Sequence, residues 1–516
     1  MSPERAGPTL RRRWTRWVLR VQGQLDGEGA DRILPWALAL ALLVLLLALE
    51  VAALRSGDGG SGLAPWLQAA WRRRHGGAGS PVAGTDPAQS TWALVAEPVL
   101  FLTRLIPARA VFAIVQAGAI GVSVVPLWRL ARDHARLRVA ATITVVVAFA
   151  LAPTLSRTDL SAFHPEVIAL PALLWAWLHG ISDHPKRYAA LCLVVIACRA
   201  DLGLTVAAMG LVLASSAPQR RRIGLTSAAV GLAWSIVAVI VLHPKIPSTS
   251  LTPAGEFVAR AVVPLAEFPR LFAHPIISSR ELLAEPSVLF LVLVLSPLLF
   301  LPLVSPRRLL PALPCLTLAM IADQAVQRVA QRGVIDLSPA GAHVAPSMAF
   351  VFIALVFALE RVGERSVTRV NVDRRLLLAL LAGAILLFVT EAPTSPYRQP
   401  WKWGSRDADD GARTASAARV TGSETVAVSP AATALVAERA HLIELPPRPE
   451  DLDAARVRAV ARRADVILLD TTGTDPRTGQ SFWNTARRDQ VLQQFDRDGF
   501  SVQFRQGGVY ILRPSP

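Results

Sequence analysis

The sequence predicts a multi-span α-helical membrane protein with about nine full crossings and one broken helix pair, followed by a small C-terminal α/β domain. Three observations predict it. Hydrophobic residues make up 52% of the 516 and charged residues only 18%, with a mean hydropathy of +0.41; a soluble globular chain carries about 25% charged residues, so most of this one reads as bilayer-embedded. The net charge of +16 is concentrated in short clusters between apolar runs, and from Ala392 onward 17 Lys and Arg against 15 Asp and Glu leave only +2. The third observation is a regular alternation of strand and helix signals in that C-terminal part.

The basic clusters set the topology. They are Arg11-Arg12-Arg13 with Arg16 and Arg20, Arg129 to Arg138, Lys186-Arg187, Arg220-Arg221-Arg222, Arg307-Arg308 and Arg361 to Arg375. By the positive-inside rule they read as cytoplasmic loops of a plasma-membrane protein, together with a cytoplasmic N-terminus over 1–32. No basic face of a folded domain is evident, so no nucleic-acid partner is expected. The first apolar run exceeds 20 residues and no small-residue cleavage site follows, so it is retained as a helix rather than a signal peptide.

The crossings follow in order within 33–391. Ile33–Leu54 runs outward, Ala110–Leu130 inward, Val139–Leu155 outward, Pro165–Ile181 inward, Ile223–Leu242 outward, Val288–Val304 inward, Leu309–Ala322 outward, Val344–Leu359 inward and Leu376–Val389 outward. Tyr188 to Ala214 has basic clusters at both ends and is interrupted by Cys198-Arg199-Ala200-Asp201. Its length of about 40 Å is too little for two spans of a ~30 Å core. It reads as two half-helices that enter and return. Three long segments, 55–109, 243–287 and 323–343, then face outside and are candidates for function.

After a linker over 392–420, resting on the outer leaflet through Tyr397, Trp401 and Trp403, the α/β domain occupies 421–516. Strands are predicted at Thr425 to Val428, His441 to Leu445 and Val466 to Leu469. Helices are predicted at Ala431 to Ala440, Leu452 to Arg463 and Thr485 to Asp498, and a hairpin at Phe500–Phe504 with Val509–Leu512. No glycine-rich phosphate loop follows a strand, which argues against nucleotide binding. The cysteines Cys192, Cys198 and Cys315 all lie in apolar stretches, so no disulfide framework is expected.

Charged residues within spans are costly and mark candidate sites. Ser156 to Glu166, SRTDLSAFHPE, brings Arg157, Asp159, His164 and Glu166 together, and the helix break carries Arg199 and Asp201. The first outer loop holds Asp58, Asp86 and Glu97; the third holds Asp323, Arg328, Arg332, Asp336 and His343. Each has a structural alternative. His164-Pro165-Glu166 is also an ordinary helix start, Arg199 and Asp201 a neutralising pair, Asp58 a turn residue among glycines, and Arg328 with Arg332 a solvated helix face. No second ligand pair stands at usable spacing from His164 and Glu166, so neither a metal nor another cofactor is expected.

Phe163-His164-Pro165-Glu166, followed by an apolar helix, a basic loop and Cys198-Arg199-Ala200-Asp201-Leu202-Gly203-Leu204, resembles the DUF2079 family, in which an HPE motif precedes a Lys-Glu-Asp-type motif. Leu67-Gln68-Ala69-Ala70-Trp71, Gln116, Pro126 to Ala131 and Phe300-Leu301-Pro302-Leu303 are similar as well. That family is grouped with GT-C glycosyltransferases. The resemblance therefore implies a GT-C-like enzyme with a polyprenyl-phosphate sugar donor at the outer face, membrane lipid around it, and a cell-envelope glycan or protein as acceptor. It implies Asp58 as base, and Arg328 or Arg332 with His343 on the lipid phosphate. Asp159, His164 and Glu166 would shape a sugar pocket beside Arg157, Arg199 and Asp201. Two positions depart: Gly62 stands where the family has its Asp, and Ala200 where it has Glu. A catalytically inactive scaffold presenting its C-terminal domain, and a transporter or flippase, remain as alternatives; the second predicts an internal repeat, and none is evident.

The topology gives a direct expectation. A reporter active only outside the cytoplasm should work when fused after Pro516 and fail at Arg221; the opposite pattern would overturn the assignment.

Overall fold

The computed structural model describes residues 27–55, 60–156, 162–242, 285–320, 341–365, 368–395, 405–473 and 481–515, with single positions at 273, 279, 280, 282, 283 and 397. The chain is mostly helical. Among the described residues, four helices are long and apolar enough to cross a membrane: Glu28–Ala53, Ala108–His134, Pro218–Val241 and Val344–Val362. Val139–Ala150, Pro165–Ile181, Leu202–Ser216 and Ser287–Leu298 are shorter apolar helices.

The elements that frame the site are α1 (Glu28–Arg55), α2 (Gly60–Arg74), α3 (Ala96–Leu102), α4 (Ala108–Val122), α5 (Ala169–Ile181), α6 (Pro185–Cys198), α7 (Leu202–Ser216) and α8 (Arg221–Leu242). Two more are α9 (Gly341–Val362) and α10 (Arg374–Glu391). Helix α9 is apolar all round and sheathed by other helices: Val344, Ala345 and every residue from Met348 to Leu359 are buried, as expected for a helix without a polar face. Its Phe350 and Phe352 meet Trp177 and Phe149 edge-on.

Two expected crossings are not regular. Val288–Val304 is helical only to Leu295 and then turns through short 3-10 segments, with Leu299 and Phe300 in the left-handed region. Leu309–Ala322 opens with further short turns. Pro297, Pro302, Pro306, Pro311 and Pro314 are the reason, since each removes a backbone donor and blocks a continuous helix.

Helices α7 and α8 touch backbone to backbone. A Cβ on Gly231 would stand 2.3 Å from the Gly203 carbonyl, and one on Gly210 would stand 2.5 Å from that of Gly224. Only small residues permit such an approach, which is how apolar helices associate inside a membrane.

The basic clusters from Arg129 onward, in their described residues, gather at one end of the bundle. Asp31, in the first turn of α1, accepts hydrogen bonds from Trp128 Nε1 (3.0 Å) and Arg132 Nε (2.7 Å) and pairs with Arg369 (3.5 Å). Arg220 pairs with Asp183 at 2.9 Å, and a bridge joins Leu137 to Val370.

At the other end lies a five-stranded sheet. Its strands are β1 (Val426–Val428), β2 (Leu442–Glu444), β3 (Val466–Asp470), β4 (Phe500–Gln506) and β5 (Val509–Pro514), in the order β2-β1-β3-β5-β4. The first three are parallel, and β5 runs against both β3 and β4. Ala454–Ala461 and Thr485–Arg497 cover one face. The other face packs through Ala432, Ala434 and Val436 onto Trp66 and Leu67 of α2. Where Ala431 to Ala440 predicts an α-helix, Pro430–Val436 forms 3-10 turns; Thr433 Oγ1 bonds back to the Ser429 carbonyl at 3.2 Å, which disfavours a regular helix. Within 392–420, expected as a linker, Ala408–Ala417 is a helix capped by Asp407, and its Ala412 is buried in that same core. Arg413 ties this helix to Asp470 at 2.7 Å. Burial disfavours its charge, but the Asp470 carboxylate outweighs burial and holds the guanidinium above its ordinary range.

Gly231→Val should force α7 and α8 apart at a cost of about 1–3 kcal/mol or more, read as a lower unfolding temperature in detergent. Gly422→Ala, at a site with open space around it, should leave that temperature unchanged.

Candidate functional site

The site is built on the break between α6 and α7. After Cys198 the backbone of Arg199 is extended, and α7 starts again at Leu202. A break among packed apolar helices frees backbone groups that no lipid can satisfy. Residues Thr91 to Val95 satisfy them: Val95 N–H donates to the Ala197 carbonyl at 3.0 Å and Ala200 N–H to that of Thr91 at 3.2 Å. Between them Trp92 takes a left-handed conformation (φ 52°) and packs edge-on against Trp234 of α8, with centroids 5.3 Å apart. A non-glycine residue there costs of order 1–3 kcal/mol and is held by its surroundings.

The second half of the site comes from the turn before α5. Gln116 on α4 is buried and fixes this turn by accepting from His164 N–H (2.8 Å) and donating to the Ala162 carbonyl (2.8 Å). Phe163 is stacked on Phe112 with centroids 4.5 Å apart and meets Trp66 edge-on at 5.1 Å. Pro165 then opens a 3-10 turn that carries Glu166.

The two halves meet around Arg199. Its guanidinium grips Asp201 through two nitrogens, with Nη2 to Oδ2 at 2.8 Å, and Nη1 donates to Glu166 Oε1 at 3.2 Å. His164 Nδ1 lies 3.6 Å from that Glu166 oxygen, and Cys315 Sγ lies 3.8 Å from Arg199 Nη2. His164, Glu166, Arg199 and Asp201 are all at most 4% exposed. Two carboxylates thus share one guanidinium, with an imidazole beside the second carboxylate. Arg199 thereby fixes Asp201 and Glu166 relative to each other.

Of the candidates named from sequence, His164, Glu166, Arg199 and Asp201 are brought together. Arg157, Asp159, Asp58, Arg328 and Arg332 fall outside the described residues, as does the side chain of His343, in the first turn of α9. Gly62 lies in the first turn of α2. Asp86 and Glu97 both pair with Arg73, at 3.1 and 2.7 Å, and Asp86 also caps a short helix. Among the described residues no group of three His, Cys, Asp or Glu side chains converges as a metal site would require. Sequence reasoning did not assign Thr91 to Val95 or Cys315 to the site. The first act through backbone groups, which carry no side-chain signature; the amide of Gln116 in an otherwise apolar run was the visible signal for that residue.

Removing one partner of a buried ion pair costs about 3–5 kcal/mol, whereas removing all its charges is far milder. Arg199→Ala should therefore deplete folded protein from membranes, and Arg199→Gln combined with Glu166→Gln and Asp201→Asn should restore much of it. Equal levels of the single variant and the parent would show that the cluster does not hold the fold.

A family model described as "Predicted membrane protein (DUF2079)" matches residues 91–511. No curated protein sequence matches. Among solved structures, the cryo-EM structure of the arabinofuranosyltransferase AftD from Mycobacteria is similar at 12% identity and a TM-score of 0.40, over 92% of this chain and 40% of that one. This chain thus spans less than half the length of that protein.

Proposed function

The chain belongs to the DUF2079 family of predicted membrane proteins, and from that premise we propose that it is a GT-C-like glycosyltransferase taking sugar from a polyprenyl-phosphate donor at the outer membrane face. The observation that carries the proposal is the sealed helix break, where His164, Glu166, Arg199 and Asp201 lie buried together. They stand at the end of the bundle that bears the sheet, opposite the basic clusters. With the basic end in the cytoplasm, the site and residues 421–516 face outside. In this reading the chain makes about nine full crossings in addition to the broken pair.

In this reading an acceptor hydroxyl of a cell-envelope glycan or protein gives its proton to Asp58 as it attacks the sugar carbon. The polyprenyl phosphate leaves, and its developing charge is held by Arg328 or Arg332 with His343. His164 and Glu166, with Arg157 and Asp159, contact sugar hydroxyls. Arg199 and Asp201 act on Glu166, setting its position rather than touching the reacting atoms. Neither a metal nor another cofactor enters the scheme.

A second reading, an inactive scaffold that displays the sheet, is favoured by Gly62 at the family's Asp position and by the tight engagement of Arg199 with its two carboxylates. The test is transfer from a polyprenyl-phosphate sugar by the full chain in membranes. Asp58→Ala should eliminate it with the protein level nearly unchanged. Transfer undiminished in Asp58→Ala removes the proposed base. No transfer by the parent chain over a panel of such donors favours the scaffold.

A further inference from the structure

We propose that the segment from Leu94 to Ile106 is a lipid anchor, inserted into the leaflet at the same end of the bundle as the buried cluster. The proposal does not rest on the glycosyltransferase reading.

Helix α3 within this segment buries one apolar side and exposes large apolar residues toward its C-terminal end on the other, where Glu97 in the first turn is paired with Arg73 at 2.7 Å. Ala96, Val99 and Leu100 are buried in the core shared with α2 and Phe112. The opposite side carries Phe101 and Leu102, and the turn beyond it carries Leu105 and Ile106; with Leu94, these are the exposed large hydrophobics of the segment, Phe101 at 58% and Leu105 at 77%. A cluster of five in thirteen residues is an unusual surface to present to water. Large apolar residues exposed opposite a buried apolar side are instead what an element between a protein core and an apolar medium requires.

The surroundings identify that medium as phospholipid. The membrane helix α4 begins at Ala108, two residues after Ile106, and apolar exposure continues along it at Ile114 and Val122. The patch is therefore continuous in the chain with a surface that faces lipid. Basic side chains border it, as they do where a protein meets lipid phosphates. Arg104 lies over the Phe101 ring, 5.4 Å from its centroid. Arg74 reaches across to the Ile106 carbonyl at 3.0 Å. The N-terminal end of the same segment, Val95, donates to the backbone at the helix break. Lipid contact at Phe101 and Leu105 thus holds in place the turn segment, Thr91 to Val95, that closes the buried cluster.

The test places a fluorophore on the full chain in lipid nanodiscs through Leu105→Cys, and in a second protein through Phe101→Cys. The three native cysteines are buried, so labelling is directed to the new thiol. Val502→Cys on β4, exposed on the sheet, serves as the aqueous reference. Labels at 105 and 101 should be quenched by lipids spin-labelled near the headgroup and should lose quenching by iodide, while the label at 502 should show the reverse. Iodide quenching at 105 and 101 equal to that at 502 would overturn the proposal. Protection from both quenchers would also overturn it, since protein rather than lipid would then cover the patch.

Discussion

Everything around the candidate site follows from one constraint, a guanidinium buried at a broken helix. Arg199 sits among packed apolar helices with almost no water contact, so its charge has to be met by protein. Asp201 meets it from two residues along the chain, and Glu166 from a separate helix start. That second contact cannot form unless the turn at His164 is held in place. Gln116, Phe112 and Trp66 hold it. The unwound backbone imposes the same demand in a different form, because its N–H and C=O groups need partners that only a neighbouring chain segment can supply. Thr91 to Val95 is that segment.

The two ends of the bundle are built on different physics. At the basic end, ion pairs organise the short connections: Asp31 collects Arg132, Arg369 and the Trp128 indole, and Arg220 pairs with Asp183. At the other end the connection between α1 and α4 is long and, in its described residues, packed. Helix α2 and residues 80–106 form a layer of their own, cross-linked by Gln68, whose amide accepts from Ser80 and Val82 and donates to the Arg439 carbonyl.

That layer joins the C-terminal sheet to the site. One hydrophobic cluster runs from Val428 and Leu468 through Val436 to Trp66 and Leu67, and on to Phe112 and Phe163. Phe163 directly precedes His164. The sheet is therefore packed into the support of the HPE turn rather than suspended from the last helix, and Arg109 adds a hydrogen bond of 2.7 Å to the Ala434 carbonyl. The glycine seam does the equivalent work on the far side of the break. By letting α8 lie directly against α7, it brings Trp234 within reach of Trp92.

Composition, apolar runs and charge placement in the sequence were enough to determine a helical membrane protein, the position of the charged helix break at Arg199 and the strands of its C-terminal sheet. These are properties of local chain: hydropathy sums over a segment, and period-two patterns mark strands wherever they fold. The short motifs at His164 and Arg199 were visible for the same reason, since charge is conspicuous in an apolar run. What pairs with that charge was not legible. Glu166 reaches Arg199 across 33 positions and Cys315 across 116, and no local signal encodes such distances. The proline-broken stretch after Leu295 was read as two spans because hydropathy does not register missing backbone donors. The sealing of the break by Thr91 to Val95 was decided by tertiary structure alone, because it is made by peptide groups that every residue carries alike.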